Sequence, residues 1–246
     1  MDELKYRIRS YWTRRASSFE LQRQREFDSE KKDKWLAEIQ HFLPENAPLD
    51  ILDIGTGTGF FALLLAKEHH VLGIDLSEEM IRRAKTLADR EQLKASFEVM
   101  DAERPSLSPE SFDVLVTRNL TWTMAHLDSA YHSWYNLLRP GGVLINFDAD
   151  YCGVTASARD AEVALPKHHA HQSLSPELLD ENEEITLELS AYQKPRPAWD
   201  LTLLLESGFE RVVVDTGIWR RIYAKQDEFY NPVPIFALAA YKKALV

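Results

Sequence analysis

The stretch Leu52-Asp53-Ile54-Gly55-Thr56-Gly57-Thr58-Gly59 joins an apolar segment, expected to be a strand, to an apolar run that starts at Phe60 and is expected to be a helix. Glycines at such a junction let the backbone turn tightly and approach a ligand with no Cβ in the way. A dinucleotide fingerprint G-x-G-x-x-G starting at Gly55 would need a glycine where the chain has Phe60. The turn therefore predicts a ligand site and disfavours a nicotinamide cofactor.

Short apolar strands alternate with helices on the carboxyl side of this turn. This alternation is typical of a parallel sheet that is covered by helices on both faces. Two helices, 4–25 and 29–42, are expected before it. The expected strands are 49–54, 71–75, 96–100, 112–117, 143–147, 209–216 and 234–242, and the remaining expected helices are 60–68, 78–90, 126–138 and 199–207.

Residues 149–198 interrupt the alternation with a polar segment that contains histidines and four prolines. We interpret this segment as an inserted cap and expect it to bind the substrate. The main α/β domain is then formed by residues 1–148 and 199–246, and residues 1–45 form an N-terminal helical lid.

Three cap histidines, His168, His169 and His171, raise the hypothesis of a metal site, because imidazoles two or three residues apart can share an ion on a helix. No cysteine neighbours them, and Pro166 would interrupt a helix just before them. A solvated loop without metal is the preferred interpretation.

The composition is that of an ordinary globular protein, with 45% hydrophobic and 28% charged residues among 246. No apolar run approaches the roughly 20 residues that cross a bilayer, so we expect no membrane partner. Residues 1–25 are charged throughout and lack the apolar stretch and cleavage site of a secretory signal, so we expect a cytoplasmic protein. The formal net charge of −10 argues against nucleic acid as a partner. Arginines near the N-terminus are interleaved with acidic residues, and we interpret them as a solvated helix face. These arginines are Arg7, Arg9, Arg14, Arg15, Arg23 and Arg25.

Acidic residues end the second and third expected strands, Asp75 and Asp101. A carboxylate at the end of the second strand is placed to accept hydrogen bonds from both hydroxyls of a ribose. Asp101 would lie further along the same edge, near an adenine amino group. Asp75 alone is compatible with NAD or with a methyl donor, so it indicates adenosine rather than a reaction.

Several motifs, in this order, resemble those of the class I S-adenosylmethionine-dependent methyltransferases. The resemblance covers residues 49–147 and implies a Rossmann-like α/β fold with a seven-stranded, mostly parallel sheet in the order 3-2-1-4-5-7-6, strand 7 being antiparallel. The motifs are Leu52–Gly59, Gly73-Ile74-Asp75-Leu76-Ser77, Met100-Asp101-Ala102-Glu103, Ser111-Phe112-Asp113-Val114-Leu115 and Leu138-Arg139-Pro140-Gly141-Gly142.

The resemblance also implies S-adenosyl-L-methionine as cofactor and S-adenosyl-L-homocysteine as product. The glycine-rich turn and Asp53 would hold the methionine moiety, Asp75 the ribose, and Leu76, Asp101 and the Ala102 amide the adenine. The implied cofactor contacts are Asp53, Gly55, Gly57, Gly59, Asp75, Leu76, Asp101, Ala102, Arg118 and Asn119.

The layout resembles the small-molecule branch of the family, including enzymes like those of quinone biosynthesis, and we expect a monomer or homodimer acting on a small-molecule acceptor. Tyr11 and Trp12 are candidate lid residues against the acceptor, or else pack the first helix onto the sheet. Strand alternation would point Asp148 and Asp150 to the same side, next to Tyr151. These two carboxylates are the candidate catalytic residues, with capping of the following helix as the alternative role.

Two other functions stay open at this stage. A non-catalytic sensor of an adenosine ligand, or an assembly partner, would keep the glycine-rich turn but would not need the long cap. A nicotinamide-dependent oxidoreductase is disfavoured by the position of the third glycine.

Overall fold

The computed structural model describes residues 2–45, 47–154 and 175–245, so His168, His169 and His171 lie outside the described residues. The helices are α1 Glu3–Phe27, α2 Lys31–Gln40, α3 Phe60–Leu65, α4 Glu78–Glu91, α5 Leu127–Leu137, α6 Tyr151–Val154, α7 Pro176–Glu188, α8 Ala198–Glu206 and α9 Ile218–Ile222. The strands are β1 Asp50–Ile54, β2 His70–Asp75, β3 Ala95–Val99, β4 Phe112–Arg118, β5 Leu138–Ala149, β6 Arg211–Asp215 and β7 Ile235–Tyr241.

The seven strands form one sheet in the order β3-β2-β1-β4-β5-β7-β6. Strands β1 to β5 are parallel, and β7 lies antiparallel between β5 and β6. The expected strand order and the antiparallel seventh strand are therefore confirmed.

Apolar cores fill both faces of the sheet, as a layered α/β fold requires. On one face, α2, α3, α4 and α9 pack around buried side chains such as Trp35 and Phe61. On the other face, α5 and α8 pack around Trp134 and Leu204. The central strands are consequently apolar on both sides.

The observed elements differ from the expected ones chiefly at β5. This strand begins at Leu138, because Leu138 already pairs with Phe112 across a register shift in β4. Gly141 lies within it at a φ of 82° rather than in a preceding turn. Helix α9 is absent from the expected pattern because five residues are too few for a helical period to show.

Helix α1 crosses the carboxyl ends of the strands and is attached by polar contacts. Its Lys5 ammonium lies 2.7 Å from Asp101, and its Thr13 hydroxyl lies 2.9 Å from that of Ser77. Helix α7 packs beside α1, and Arg7 of α1 donates a hydrogen bond of 2.5 Å to Glu188 of α7. None of the helices in the described ranges is long and apolar enough to cross a membrane.

Candidate active site

A cavity of about 570 Å³ lies at the carboxyl edge of the sheet, between the strand ends, α1 and α7. This volume falls within the range of roughly 300–1,000 Å³ that is usual for small-molecule sites. Open α/β sheets bind ligands at this edge. The residues that line the cavity come from the glycine-rich turn, α1, the segment after β4, α7 and residues 229–233.

Two glycines of the turn are required by its geometry. Gly55 and Gly57 line the cavity with φ values of 68° and 54°, a region that L side chains rarely adopt. A Cβ on Gly55 would lie 2.6 Å from Leu120 Cδ1, and one on Gly57 would lie 3.0 Å from Phe19 Cε1. The turn therefore exposes backbone atoms to the cavity at two positions where a side chain would occupy part of it.

Gly59 has a packing role in the structure. It is not among the cavity residues, and with a φ of 90° it occupies the N-cap of α3. A Cβ there would lie 3.3 Å from both Ala84 and Phe97. Gly59 therefore permits the start of α3 to pack closely against α4 and β3, and we do not propose it as a cofactor contact.

Asp53 lies at the end of β1 and is almost completely buried. Its carboxylate accepts hydrogen bonds from the Thr56 hydroxyl at 2.6 Å and the Ala62 amide at 2.9 Å. Burial raises the pKa of Asp53 to about 7, although both hydrogen bonds favour the ionised form. Asp53 both fixes the turn and presents a titratable group to the cavity.

Asp75, at the end of β2, accepts hydrogen bonds from the amides of Gly57 at 3.0 Å and Ser77 at 2.9 Å. Burial raises the pKa of Asp75 to about 6, against the effect of these hydrogen bonds. Leu76 lines the cavity beside it. The structure therefore brings the expected ribose-binding residue to the glycine-rich turn.

Asp101 and Ala102 line the same cavity, and Asp101 has a partner that the sequence did not indicate. Lys5 of α1 lies 2.7 Å from Asp101 and 2.6 Å from Glu103. Burial acts to lower the pKa of Lys5, but the two carboxylates outweigh it and the pKa is raised. Lys5 could not be assigned from sequence, because its position depends on how α1 docks.

Arg118 lines the cavity at the end of β4 and forms a two-pronged contact with Glu26, at 2.7 and 3.2 Å. The guanidinium also lies 4.1 Å from the centre of the Trp35 ring. Burial opposes the charge of Arg118, but Glu26 outweighs it and raises the pKa. Arg23 also pairs with Glu26, at 2.5 Å, so one buried carboxylate balances two guanidiniums.

Aromatic side chains form another part of the cavity wall. Tyr11, Trp12, Trp122 and Tyr151 all line the cavity, and the Trp122 and Tyr151 rings lie 5.2 Å apart. Tyr151 donates a hydrogen bond of 3.1 Å to the side chain of Asn119, whose φ of 54° is left-handed. The expected lid and acceptor residues are thus brought together with Asn119, and Trp122 is an addition.

Asp148 does not line the cavity, which differs from its expected catalytic role. Its fully buried carboxylate accepts hydrogen bonds from the Thr121 hydroxyl and, at 2.9 Å, from the Trp122 amide. Arg196 lies 3.5 Å away on the core side. Asp148 therefore holds the segment after β4 in place, and Asp150, which is half-buried, lies beyond the end of β5 and outside the cavity lining as well.

The family model and the relatives that match this chain are all methyltransferases. Residues 51–142 match the family model for a methyltransferase domain. Phosphoethanolamine N-methyltransferase 1 of Triticum aestivum is 33% identical over 105 residues, which cover 42% of this chain and 20% of the relative. Demethylmenaquinone methyltransferase of Bacteroides fragilis is 29% identical over 116 residues, covering 45% and 47%. The matches therefore span between about a fifth and about half of the relatives' own length.

The fold of this chain also resembles that of solved methyltransferase structures. The solved structure of phosphoethanolamine N-methyltransferase 2 of Haemonchus contortus with S-adenosyl-L-methionine superposes with a TM-score of 0.61 at 19% identity, covering 85% of this chain and 52% of that one. At this identity the likeness concerns the fold alone. The matched domain, the strand order and the glycine-rich turn together support a class I S-adenosylmethionine-dependent methyltransferase domain over residues 51–142, which are less than half of this chain.

Proposed function

We propose that this protein is an enzyme that transfers a methyl group from S-adenosyl-L-methionine to an O, N or C atom of a small molecule and releases S-adenosyl-L-homocysteine. One observation carries the proposal. A single continuous cavity joins the glycine-rich turn and acidic strand ends to a chamber walled by aromatic side chains.

The residues present fit the methyl donor. The bare backbone at Gly55 and Gly57 suits the methionine moiety, because a Cβ at Gly57 would reach to 3.0 Å from Phe19 and narrow the space there. Asp75 would accept hydrogen bonds from the ribose hydroxyls, and Leu76 would pack on the adenine. Ala102 would bind an adenine ring nitrogen through its amide, and Asp101, shared with Lys5, the adenine amino group.

Asp53, Arg118 and Asn119 line the methionine end of the cavity in this assignment. Bound S-adenosylmethionine supplies an electrophilic methyl group on a sulfonium. The protein's part is then to align the acceptor and exclude water, which can supply much of the rate enhancement of such a displacement. Tyr11, Trp12 and Tyr151 are placed to do both.

The acceptor belongs to the small-molecule class in this proposal. The relatives are named for acceptors as different as a phosphorylated amine and a quinone precursor, so their names leave the acceptor of this chain open. Residues 149–198, with α7 in their described part, would form the cap over it, since Asn182 and Thr186 of α7 line the cavity.

Calorimetry with S-adenosylhomocysteine and NADH tests the cofactor assignment directly. We expect S-adenosylhomocysteine to bind with one site per chain and NADH to show no heat of binding. Binding of NADH alone would refute the proposal. Transfer of a labelled methyl group to a component of a metabolite extract would then establish the reaction, whereas cofactor binding with no transfer would indicate a sensor.

A further inference from the structure

One face of α1 presents alternating aromatic and basic side chains to the cavity. Tyr11, Arg15, Phe19 and Arg23 follow one another at intervals of four residues, and all four line the cavity. Residues four apart lie on the same face of a helix. The expectation of a solvated helix face is therefore wrong for Arg15 and Arg23, because the helix docks with this face against the strand ends.

Arg15 differs from Arg14 and Arg23 in having no carboxylate partner in the described part of the chain. The residue is 4% exposed, and its hydrogen bond of 3.1 Å goes to the hydroxyl of Tyr11. Its Nε atom is buried and has no hydrogen-bond partner among the described residues. By contrast, Arg23 pairs with Glu26, and the exposed Arg14 pairs with Glu181.

A buried guanidinium without a counter-charge is costly, because the ion loses its hydration and gains no opposite charge in return. The rings of Tyr11 and Trp12, whose centres lie 5.9 and 6.0 Å from Arg15 Cζ, recover only part of this cost. The guanidinium carries planar donors that match a carboxylate or phosphate. Its burial in a cavity wall therefore points to an anionic ligand as the missing partner.

The position of Arg15 connects this anion to the acceptor side of the cavity. Its hydrogen-bond partner Tyr11 packs in an apolar cluster with Ile185 and Leu189, in and just after α7. Trp122 also packs at the edge of this cluster and lines the same cavity. The wall that holds Arg15 is thus continuous with the proposed acceptor chamber.

We propose that Arg15 binds an oxyanion, a carboxylate or phosphate, within the cavity. The inference rests on the proposed function, which identifies the methyl donor in the cavity as S-adenosyl-L-methionine. The oxyanion then has one of two sources. It belongs to the methyl acceptor, as the contact with the α7 cluster favours, or it is the carboxylate of the donor's methionine moiety.

The test compares Arg15→Gln with Arg14→Gln, a matched control on the exposed face of the same helix. Four probes are titrated by calorimetry or tryptophan fluorescence. Two are nucleosides: S-adenosylhomocysteine, and 5′-methylthioadenosine, which lacks the methionine carboxylate. The other two are the anions inorganic phosphate and benzoate, each titrated with and without saturating S-adenosylhomocysteine. If the acceptor supplies the oxyanion, Arg15→Gln binds both nucleosides normally and loses phosphate or benzoate at least ten-fold. If the donor supplies it, only S-adenosylhomocysteine weakens ten-fold. Arg14→Gln should match wild type throughout.

Ligand-free stability separates a binding role from a structural one. Arg15→Gln should unfold at or above the wild-type midpoint, because the change removes an uncompensated buried charge. A lower midpoint together with equal weakening of both nucleosides would assign Arg15 a structural role and overturn the proposal, as would wild-type binding of all four probes by Arg15→Gln. Failure of wild-type protein to bind S-adenosylhomocysteine would instead refute the proposed function, and the anion titrations without it would still report on Arg15.

Discussion

Replacing Glu26 by glutamine should destabilise the protein strongly, because this carboxylate is fully buried between two guanidiniums. Its oxygens lie 2.7 Å from Arg118 and 2.5 Å from Arg23, and one of them accepts a 2.9 Å hydrogen bond from the Trp35 indole. Removing one partner of a buried ion pair costs about 3–5 kcal/mol, since the other charge stays buried and unpaired. For a chain of this size, about 2–4 °C per kcal/mol gives a drop in Tm of roughly 6–20 °C.

The pH dependence of this effect has a definite sign. Burial raises the pKa of Glu26, but Arg118 and Arg23 outweigh it and the pKa is lowered. A carboxyl group of this kind stabilises the fold fully above its unfolded pKa of about 4.3, and the contribution is lost as the pH falls through the lower folded value. The gap between wild type and Glu26→Gln should therefore be constant near neutral pH and narrow only in acid.

Urea unfolding at pH 7 and at decreasing pH measures both quantities. The control is Glu228→Gln, which removes an exposed carboxylate 3.2 Å from Arg25 and should cost between about 0 and 1 kcal/mol. A loss below about 1 kcal/mol for Glu26→Gln would refute the reasoning, because it would mean that neither arginine depends on this carboxylate.

Gly57→Val should abolish S-adenosylhomocysteine binding in calorimetry while the circular dichroism stays native, since the new side chain would stand in the cavity beside Phe19, whose Cε1 lies 3.0 Å from the Cβ position. Wild-type affinity would contradict the site. Asp75→Ala should weaken the same ligand by about 1.5–3 kcal/mol, or about ten- to hundred-fold, and an unchanged Kd would place the ribose elsewhere. Asp148→Asn should lower the thermal midpoint with cofactor affinity unchanged, and the opposite pattern would restore it to the site. S-adenosylhomocysteine binding near pH 6.5 should release protons, because a ligand ammonium beside Asp53 would favour the ionised form of this carboxyl group. Calorimetry in buffers of different ionisation enthalpy measures the release, and release that persists in Asp53→Asn would contradict the reasoning.

Local sequence patterns were sufficient to predict the strands and the grouping of the proposed donor-binding residues. The glycine-rich turn, Asp75 and Asp101 each stand at the end of an apolar strand, and parallel strands bring such ends to one edge. The structure places these residues around one cavity. Each strand is marked by an apolar pattern a few residues long, whereas the order of the strands was implied by the family resemblance.

The roles of Asp148 and Asp150 could not be predicted in the same way, because strand alternation holds only while the strand continues. Strand β5 ends at Ala149, so Asp150 no longer follows the alternation. Asp148 points instead towards Arg196, a partner 48 residues away in a segment whose sequence showed no regular pattern. A buried ion pair of this kind is set by tertiary packing, and a single sequence contains no local sign of it.

Helix α1 shows how such a feature can nevertheless leave a trace in the sequence. A solvated face carries charges without aromatic residues at regular spacing, and a core face carries apolar residues without arginines. The stripe of Tyr11, Arg15, Phe19 and Arg23 has neither composition, since it alternates aromatic and guanidinium side chains on one face. Such a face suits a surface that is buried but polar, as the wall of a cavity for a charged ligand must be. The interval of four residues, rather than the number of arginines, is therefore the feature that distinguishes the cavity-lining face of this helix from a solvated one.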